Sequence, residues 1–153
     1  MLELKKIKNR LFVVCENLVS QKIAAIKTSL AEVQDAVNNE TKSSAGDKHE
    51  TGRAMAQLET EKLSNQLNEA LKLAQVLQQI NPEQTHQITG LGSLVITNNG
   101  NFYISISLGK VEINDEIYFA ISAVSPIGKI LLTKKEKESF SFNGQSYLIE
   151  QVV

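Results

Sequence analysis

The chain has 153 residues and a formal net charge of -1, with 42% hydrophobic and 22% charged residues. These values are typical of a globular protein of one or two small domains, and they argue against nucleic-acid binding through bulk positive charge. Apolar runs stay well below the roughly 18 residues of a membrane span, and the N-terminus is too charged to lead a secretory signal. We therefore expect a cytoplasmic protein without membrane contact, in which the single cysteine, Cys15, is a buried thiol.

Two segments with heptad-like apolar spacing predict long helices, at about residues 5–40 and 47–80. Each apolar stripe needs a partner, and a short polar link containing glycine joins the segments, so we expect an antiparallel helical hairpin. About 36 residues at about 1.5 Å each give a helix of about 54 Å, so the hairpin is expected to project as an arm. The stripe comprises Val19, Ile23, Ile26, Leu30, Val33 and Val37, then Ala56, Thr60, Leu63, Leu67, Ala70, Ala74 and Leu77.

The predicted tip of this hairpin carries two acids, Asp47 and Glu50. Spaced three residues apart at a helix start, they project to one side of the helix and could together hold Mg²⁺, which prefers oxygen ligands. The same spacing also fits a capping box, with Asp47 as N-cap and Glu50 at the third helical position. His49 lies between them and is either a third ligand, a proton carrier or an exposed side chain. The spacing leaves these roles open.

A change in composition at Asn81-Pro82 divides the chain into a hairpin (1–81), a linker (82–89) and a β-rich domain (90–153). Pro82 cannot continue the second helix. Asn98-Asn99-Gly100-Asn101 and Asn143-Gly144 predict tight turns between strands, whereas Ser125 and Pro126 predict the start of a short helix. The fold class is therefore α+β, and the predicted strands are residues 94–97, 102–107, 117–122, 139–142 and 147–150.

Basic residues cluster at two places, despite the balanced net charge. The first cluster lies in the opening ten residues and the second lies between 134 and 137. They are interpreted either as solvated surface or as contacts with RNA or an acidic partner. The clusters are Lys5, Lys6, Lys8 and Arg10, and then Lys134, Lys135 and Lys137, which Glu136 and Glu138 dilute.

Two motifs together resemble the Gre family of bacterial transcript-cleavage factors. The stretch 125–132, Ser-Pro-Ile-Gly-Lys-Ile-Leu-Leu, followed by Lys134-Lys135, is similar to the C-terminal signature of that family. Gly46-Asp47-x-x-Glu50 is similar to the family motif between the two hairpin helices. The resemblance covers nearly the whole chain, in the order and architecture of the family.

This resemblance implies a coiled-coil finger followed by a domain of the FK506-binding-protein type. It implies that the second domain docks at the rim of the secondary channel of RNA polymerase, with the finger inserted towards the RNA 3′ end. Asp47 and Glu50 would be the catalytic residues, lending ligands to a Mg²⁺ shared with the polymerase, so the protein alone is not an enzyme and has no small-molecule substrate. The implied polymerase-binding residues are Ser125, Pro126, Gly128 and Lys129, and contact with RNA or DNA is also implied.

The chain departs from the family beside the tip. At residues 51–54 the chain has Thr51-Gly52-Arg53-Ala54, where the family has asparagine, a small residue, an acid and tyrosine. Arg53 therefore replaces a negative charge by a positive one.

Three functions are alternatives to cleavage: a channel-binding regulator that inhibits without cleaving, a peptidyl-prolyl isomerase or chaperone, and a plain coiled-coil dimerisation module. The isomerase rests on the C-terminal fold alone, which is a weak argument for activity.

Overall fold

The computed structural model describes the backbone of residues 2–43 and 47–153, and the side chains of residues 2–39 and 50–153. The predicted fold class is confirmed, because two long helices are followed by a six-stranded sheet with one short helix. The elements are α1 (Leu2–Ser43), α2 (Asp47–Gln78), β1 (Leu94–Thr97), β2 (Gly100–Ser105), β3 (Gly109–Ile113), β4 (Glu116–Ser122), α3 (Pro126–Leu131), β5 (Ser139–Phe142) and β6 (Gln145–Val152).

The chain forms two compact units, and the first of them combines two separate stretches of the sequence. The first unit combines Met1–Glu16 with Gln75–Val153, and the second is Asn17–Ala74. The N-terminal part of α1 and the C-terminal end of α2 therefore belong to the unit that holds the sheet. The predicted boundaries of the linker, at residues 81 and 89, stay a prediction.

The second unit is the helical hairpin. Its core is the apolar stripe that the spacing predicts: Ile26 of α1 packs with Leu63 and Ala70 of α2. Ala70 is fully buried in this core. Ile23, Leu30, Val33 and Leu67 are partly buried and pack against this cluster.

The second helix ends two residues before Ile80. The amide of Ile80 donates to the carbonyl of Leu77 (3.1 Å), and a turn follows in which the amide of Gln84 donates to the carbonyl of Asn81 (3.0 Å). Pro82 lies inside this turn, where its missing N–H costs no helical hydrogen bond.

The sheet has the strand order β3-β4-β2-β1-β6-β5. Strands β2 and β4 are parallel, and all the other neighbours are antiparallel. The two predicted hairpins are confirmed: β1 and β2 pair from Thr97 with Gly100, and β5 and β6 pair across Asn143-Gly144. Asn143 and Gly144 have φ values of 49° and 77°, as a tight turn of the hairpin type requires.

The prediction of five strands was wrong by one, since β3 was missed. It is an edge strand that pairs with β4 through a turn at Asn114 and Asp115, whose φ values are 52° and 65°. Asn and Asp tolerate the left-handed region better than most residues, so this dipeptide was a usable turn signal. The alternation of Val111 and Ile113 along the strand was a second signal.

Both faces of the sheet are covered. On one face, Val95, Phe102 and Ile104 form a core cluster with Leu131 of α3, Phe140, Tyr147, Ile149 and Val152. Side chains alternate along a strand, so Leu94, Tyr103 and Ser105 point to the opposite face. The first turns of α1 lie over that face, because Cys15 Sγ is 3.6 Å from Ser105 Oγ and Leu11 is fully buried.

None of the helices formed by the described residues combines the length and apolar character needed to cross a bilayer.

Gly128 tests the packing of α3 against the end of β4. A Cβ at this position would clash with the carbonyl oxygen of Ser122 and lie 2.9 Å from Ser125 Oγ. We expect Gly128→Ala to lower the free energy of unfolding by about 1–3 kcal/mol, because overpacking against backbone forces a shift. Chemical denaturation measures the change.

Gly90→Ala is the matched control for this substitution. Its added Cβ would meet only His86 Cδ2, at an ordinary 3.9 Å. We expect a change within about 1 kcal/mol, of either sign. Equal destabilisation by both substitutions would contradict the packing argument.

Candidate functional site

The tip of the hairpin is only partly described. Helix α1 ends at Ser43 and α2 begins at Asp47, and the backbone of residues 44–46 lies outside the described residues. The side chains of Asp47 and His49 also lie outside them, so the capping box and the arrangement of the two carboxylates stay predictions. Glu50 is described, and its side chain is exposed in the first turn of α2.

Beyond Glu50, the first turns of α2 present groups of opposite character. Arg53 is exposed and follows Glu50 by three residues, a spacing that places both on the same side of the helix. Met55 and Leu58 are each 67% exposed. The helix therefore offers an acid, a base and two apolar side chains to whatever contacts this end of the hairpin.

Among the side chains that the structure describes, no group of three or more His, Cys, Asp or Glu is arranged to hold a metal ion. The pair of Asp47 and Glu50 is not covered by this statement, since the side chain of Asp47 is outside the described set. Two carboxylates are also too few to hold Mg²⁺ tightly without further oxygen ligands.

The motif at Ser125 has a clear structural role. Ser125 is the N-cap of α3: its Oγ accepts a hydrogen bond from the Gly128 amide (3.1 Å) and donates one to the carbonyl of Ser122 (2.7 Å). Pro126 follows at the first helical position, where a missing N–H is harmless. The helix start is thus fixed by these residues themselves.

The four predicted polymerase-binding residues divide into two groups. Ser125 and Gly128 hold α3 against β4, and Gly128 is buried. Pro126 and Lys129 are exposed, next to Val124, which is 76% exposed and which sequence reasoning missed. We call Val124, Pro126 and Lys129 the α3 face. Behind it Leu131 is fully buried and Ile127 packs against the core.

The interpretation of the first basic cluster as solvated surface is wrong for Lys8. Its side chain is only 2% exposed, and its ammonium donates to the carbonyl of Gln84. Burial lowers the pKa of Lys8, the charge of Lys5 lowers it further, and Glu83 acts in the opposite direction. The local sequence around a helical lysine does not indicate that its ammonium will bind a carbonyl far away in the chain.

His86 lies in the linker, and it is partly buried. Burial lowers its pKa, and the charge of Lys8 adds to the effect, while backbone hydrogen bonds to Leu91 and Val153 oppose it. Its Nδ1 is shielded from solvent, and backbone groups of Leu91 and Val153 lie beside the ring.

Cys15 is a packed thiol, as predicted. It is fully buried beside Ser105, and burial raises its pKa, so the reactive thiolate is disfavoured. The neighbouring Tyr103 is also fully buried, and its pKa is raised by burial first and then by Cys15 and Glu16. These groups belong to the core between α1 and the sheet.

The chain matches no protein-family model, and no curated protein sequence matches it significantly.

Ser125→Ala separates the structural role of the motif from a role in docking. Losing an N-cap costs about 0.5–2 kcal/mol, and we expect the free energy of unfolding to fall by about 1 kcal/mol. Ser125→Thr should retain most of the stability, because its hydroxyl can both accept from the Gly128 amide and donate to the Ser122 carbonyl. Thermal and chemical unfolding measure both effects.

Lys129→Ala is the control, because Lys129 is exposed in the same helix. Its unfolding free energy should stay within about 0.5 kcal/mol of the parent, as for most surface substitutions. If Ser125→Ala were as mild as Lys129→Ala, the capping role would be refuted.

Proposed function

We propose that this chain is a Gre-like transcription factor that binds RNA polymerase at the secondary channel and stimulates cleavage of backtracked RNA. The observation that carries the proposal is a hairpin of two long helices whose return helix begins at Asp47, so that Asp47 and Glu50 lie in its first turn. The sheet domain and its α3 motif follow in the chain. The resemblance of both motifs to the Gre family supports the same function.

The hairpin has the dimensions of an insertion element. Helix α2 has 32 residues, which corresponds to a length of about 48 Å. Its apolar stripe is used in packing against α1, so the outward surface of the hairpin is polar apart from side chains such as Met55 and Leu58. A polar, self-supporting hairpin can enter a hydrated channel without exposing its own core.

The proposed chemistry depends on carboxylates at the tip. A Mg²⁺ ion shared with the polymerase would orient water and offset developing negative charge on the RNA phosphate. Glu50 is exposed and therefore free to contribute an oxygen ligand, and Asp47 is proposed as its partner three residues earlier. The protein would add ligands to the active centre of the polymerase and would not be an enzyme alone.

The α3 face is the proposed docking surface on the polymerase. Its exposed apolar and basic groups, Val124, Pro126 and Lys129, suit a partner surface that is apolar with an acidic rim. Ser125 and Gly128 contribute by holding the helix in place. Because the polymerase works in the cytoplasm, we propose that location for this chain as well.

An inhibitor that occupies the same channel without cleaving is the second candidate. The observation in its favour is Arg53, which is exposed one turn after Glu50 and brings a positive charge to the acidic end of the hairpin. A cation there weakens Mg²⁺ binding by repulsion and offers a contact to an RNA phosphate.

Three aromatic residues of the sheet domain pack together in a way that does not favour the isomerase alternative. Phe140 and Tyr147 stack with their ring centroids 4.7 Å apart, and Phe102 packs edge-on against Tyr147 at 6.0 Å. All three rings are buried in the core beneath α3, so they are not available to line an open proline pocket.

Charge removal at the tip tests cleavage directly. Asp47→Asn with Glu50→Gln keeps size and hydrogen-bonding oxygens but removes both anionic ligands. We expect stimulated RNA cleavage in a stalled elongation complex to fall at least about tenfold, because hard Mg²⁺ depends on anionic oxygen. Polymerase binding should be nearly unchanged, and raising Mg²⁺ should partly restore cleavage.

Arg53→Glu and Arg53→Gln complete this experiment. If the cation damps cleavage, the glutamate variant should exceed the glutamine variant, which should exceed the parent. A parent protein that binds polymerase but never accelerates cleavage at any Mg²⁺ concentration would exclude the cleavage function and favour the inhibitor.

Lys129→Glu in the complete chain tests the docking surface. The whole chain is required, because α1 covers one face of the sheet and a fragment from residue 85 would leave that face bare. We expect polymerase binding to weaken about fivefold to tenfold, mainly through slower association and with a changed salt dependence. Lys110→Glu, on the exposed part of β3, is the charge-matched control and should bind normally.

A further inference from the structure

Strand β3 forms an open edge of the sheet. It stands at one end of the strand order and, within the described part of the chain, β4 is its only neighbour in the sheet. The side chains of Lys110 and Glu112 on this strand are exposed. An open edge presents backbone N–H and C=O groups that can pair with a further strand, so the chemistry of this edge decides what can join it.

The two-residue turn between β3 and β4 determines which backbone groups of β3 face outward. Asn114-Asp115 has φ values of 52° and 65°, so Ile113 and Glu116 close the turn as a hydrogen-bonded pair. Hydrogen-bonded and non-hydrogen-bonded pairs alternate along an antiparallel ladder, and Lys110 and Glu112 occupy the non-hydrogen-bonded positions. Their own N–H and C=O groups therefore point away from β4, towards the open edge.

Two hydrogen bonds of β4 agree with this assignment. The carbonyl of Ile117, which lies opposite Glu112, accepts from Asn101 Nδ2 of β2 (3.3 Å) and so points away from β3. The carbonyl of Ala120 accepts from the amide of Leu108, just before β3, at 3.2 Å. Carbonyls three residues apart on a strand point in opposite directions, as these two do.

The side chains on this edge form a short pattern of opposite charges. Lys110 and Glu112 project to the same face of the sheet, where they lie opposite Phe119 and Ile117 of β4. Each of these two apolar side chains is 39% exposed, so neither is covered by α3. Val111 lies between the two charges and projects to the other face. When this strand is reversed, its positive and negative positions exchange, so the edge is complementary to itself.

We propose that β3 pairs antiparallel with β3 of a second copy of this chain, about a two-fold axis at Val111. In this register Lys110 lies opposite Glu112 of the second copy, and Glu112 lies opposite Lys110. The interface therefore has two cross-strand pairs of opposite charge on one face, and it joins the two six-stranded sheets into one. The proposal does not rest on the transcription function.

The backbone supports this register and no neighbouring one. Lys110 and Glu112 each direct an N–H and a C=O outward, and pairing one with the other satisfies all of these groups in both copies. A two-fold axis at Lys110 or at Glu112 would place identical charges opposite each other, which destabilises a cross-strand pair. A shift by a single residue would place the inward-facing groups of Val111 opposite an outward-facing residue, so the hydrogen bonds could not form.

Sedimentation velocity of the complete protein tests the association. Two five-residue strands give a small interface, so we expect a transient dimer whose fraction rises with protein concentration up to about 1 mM. Added salt should reduce that fraction, because the two charge pairs lie at an exposed edge. A parent protein that stays monomeric over this whole range would overturn the proposal.

Charge reversal on β3 tests the register. Lys110→Glu or Glu112→Lys alone places like charges opposite each other in both pairs, so each should weaken the dimer about tenfold. An equimolar mixture of these two single variants should associate as tightly as the parent, because one then carries two acids on β3 and the other carries two bases. The double variant, in which the charges are exchanged, should likewise regain the dimer.

Lys129→Glu is the matched control, because it makes the same charge change on α3, away from the open edge. Its dimer should be unchanged, and the unfolding midpoint of every variant should match that of the parent, since the substituted residues are exposed. A dimer that survives both single variants would place the interface elsewhere, as in the coiled-coil alternative. A mixture that associates no better than its separate components would refute the proposed register.

Discussion

Burial of the sheet between two covers is the constraint on which the rest of this structure depends. One cover is α3, whose Leu131 enters the core, and the other is the first part of α1, with Leu11 and Cys15 fully buried. A small sheet exposed on one side would leave residues such as Leu94 and Tyr103 in water. Burying apolar surface contributes about 25 cal/mol per Å², so the loss of either cover would be costly.

This use of α1 has consequences for polar groups. Once the first turns of the helix pack on the sheet, Lys8 cannot reach solvent freely, and its ammonium is satisfied by the Gln84 carbonyl of the linker. The linker is then held along α1, and His86 lies near enough to Lys8 for that charge to lower its pKa. The linker also lines a cavity to which Lys5 and Lys135 contribute, so the packing of α1 brings two distant parts of the chain together.

The two motifs behind the proposed transcription function differ in what their residues do. Around α3, Ser125 and Gly128 are required by the geometry of the helix start, so their presence is explained by folding whether or not a partner docks there. At the start of α2, Glu50 is exposed and has no comparable packing role. The exposed groups, Glu50 at the tip and Lys129 on the α3 face, are therefore the more informative candidates for function.

The sequence by itself determined the secondary structure and the fold class, because these depend on local patterns. Heptad spacing produced the hairpin and the stripe centred on Ile26, Leu63 and Ala70, and the Asn-Gly and Ser-Pro signals located two turns and α3. The edge strand β3 has its own turn signal at Asn114-Asp115, so this strand was also predictable from the sequence.

Only the tertiary structure decided which distant residues meet. Lys8, Gln84 and His86 are unremarkable in their local sequence, and no periodicity connects them with Lys135 near the other end of the chain. Their convergence depends on how α1, the linker and the loop before β5 pack together, and packing between distant segments leaves no local pattern. For the same reason the sequence could mark Asp47 and Glu50 as candidates through spacing, but it could not indicate that Lys5 and Lys135 line one cavity.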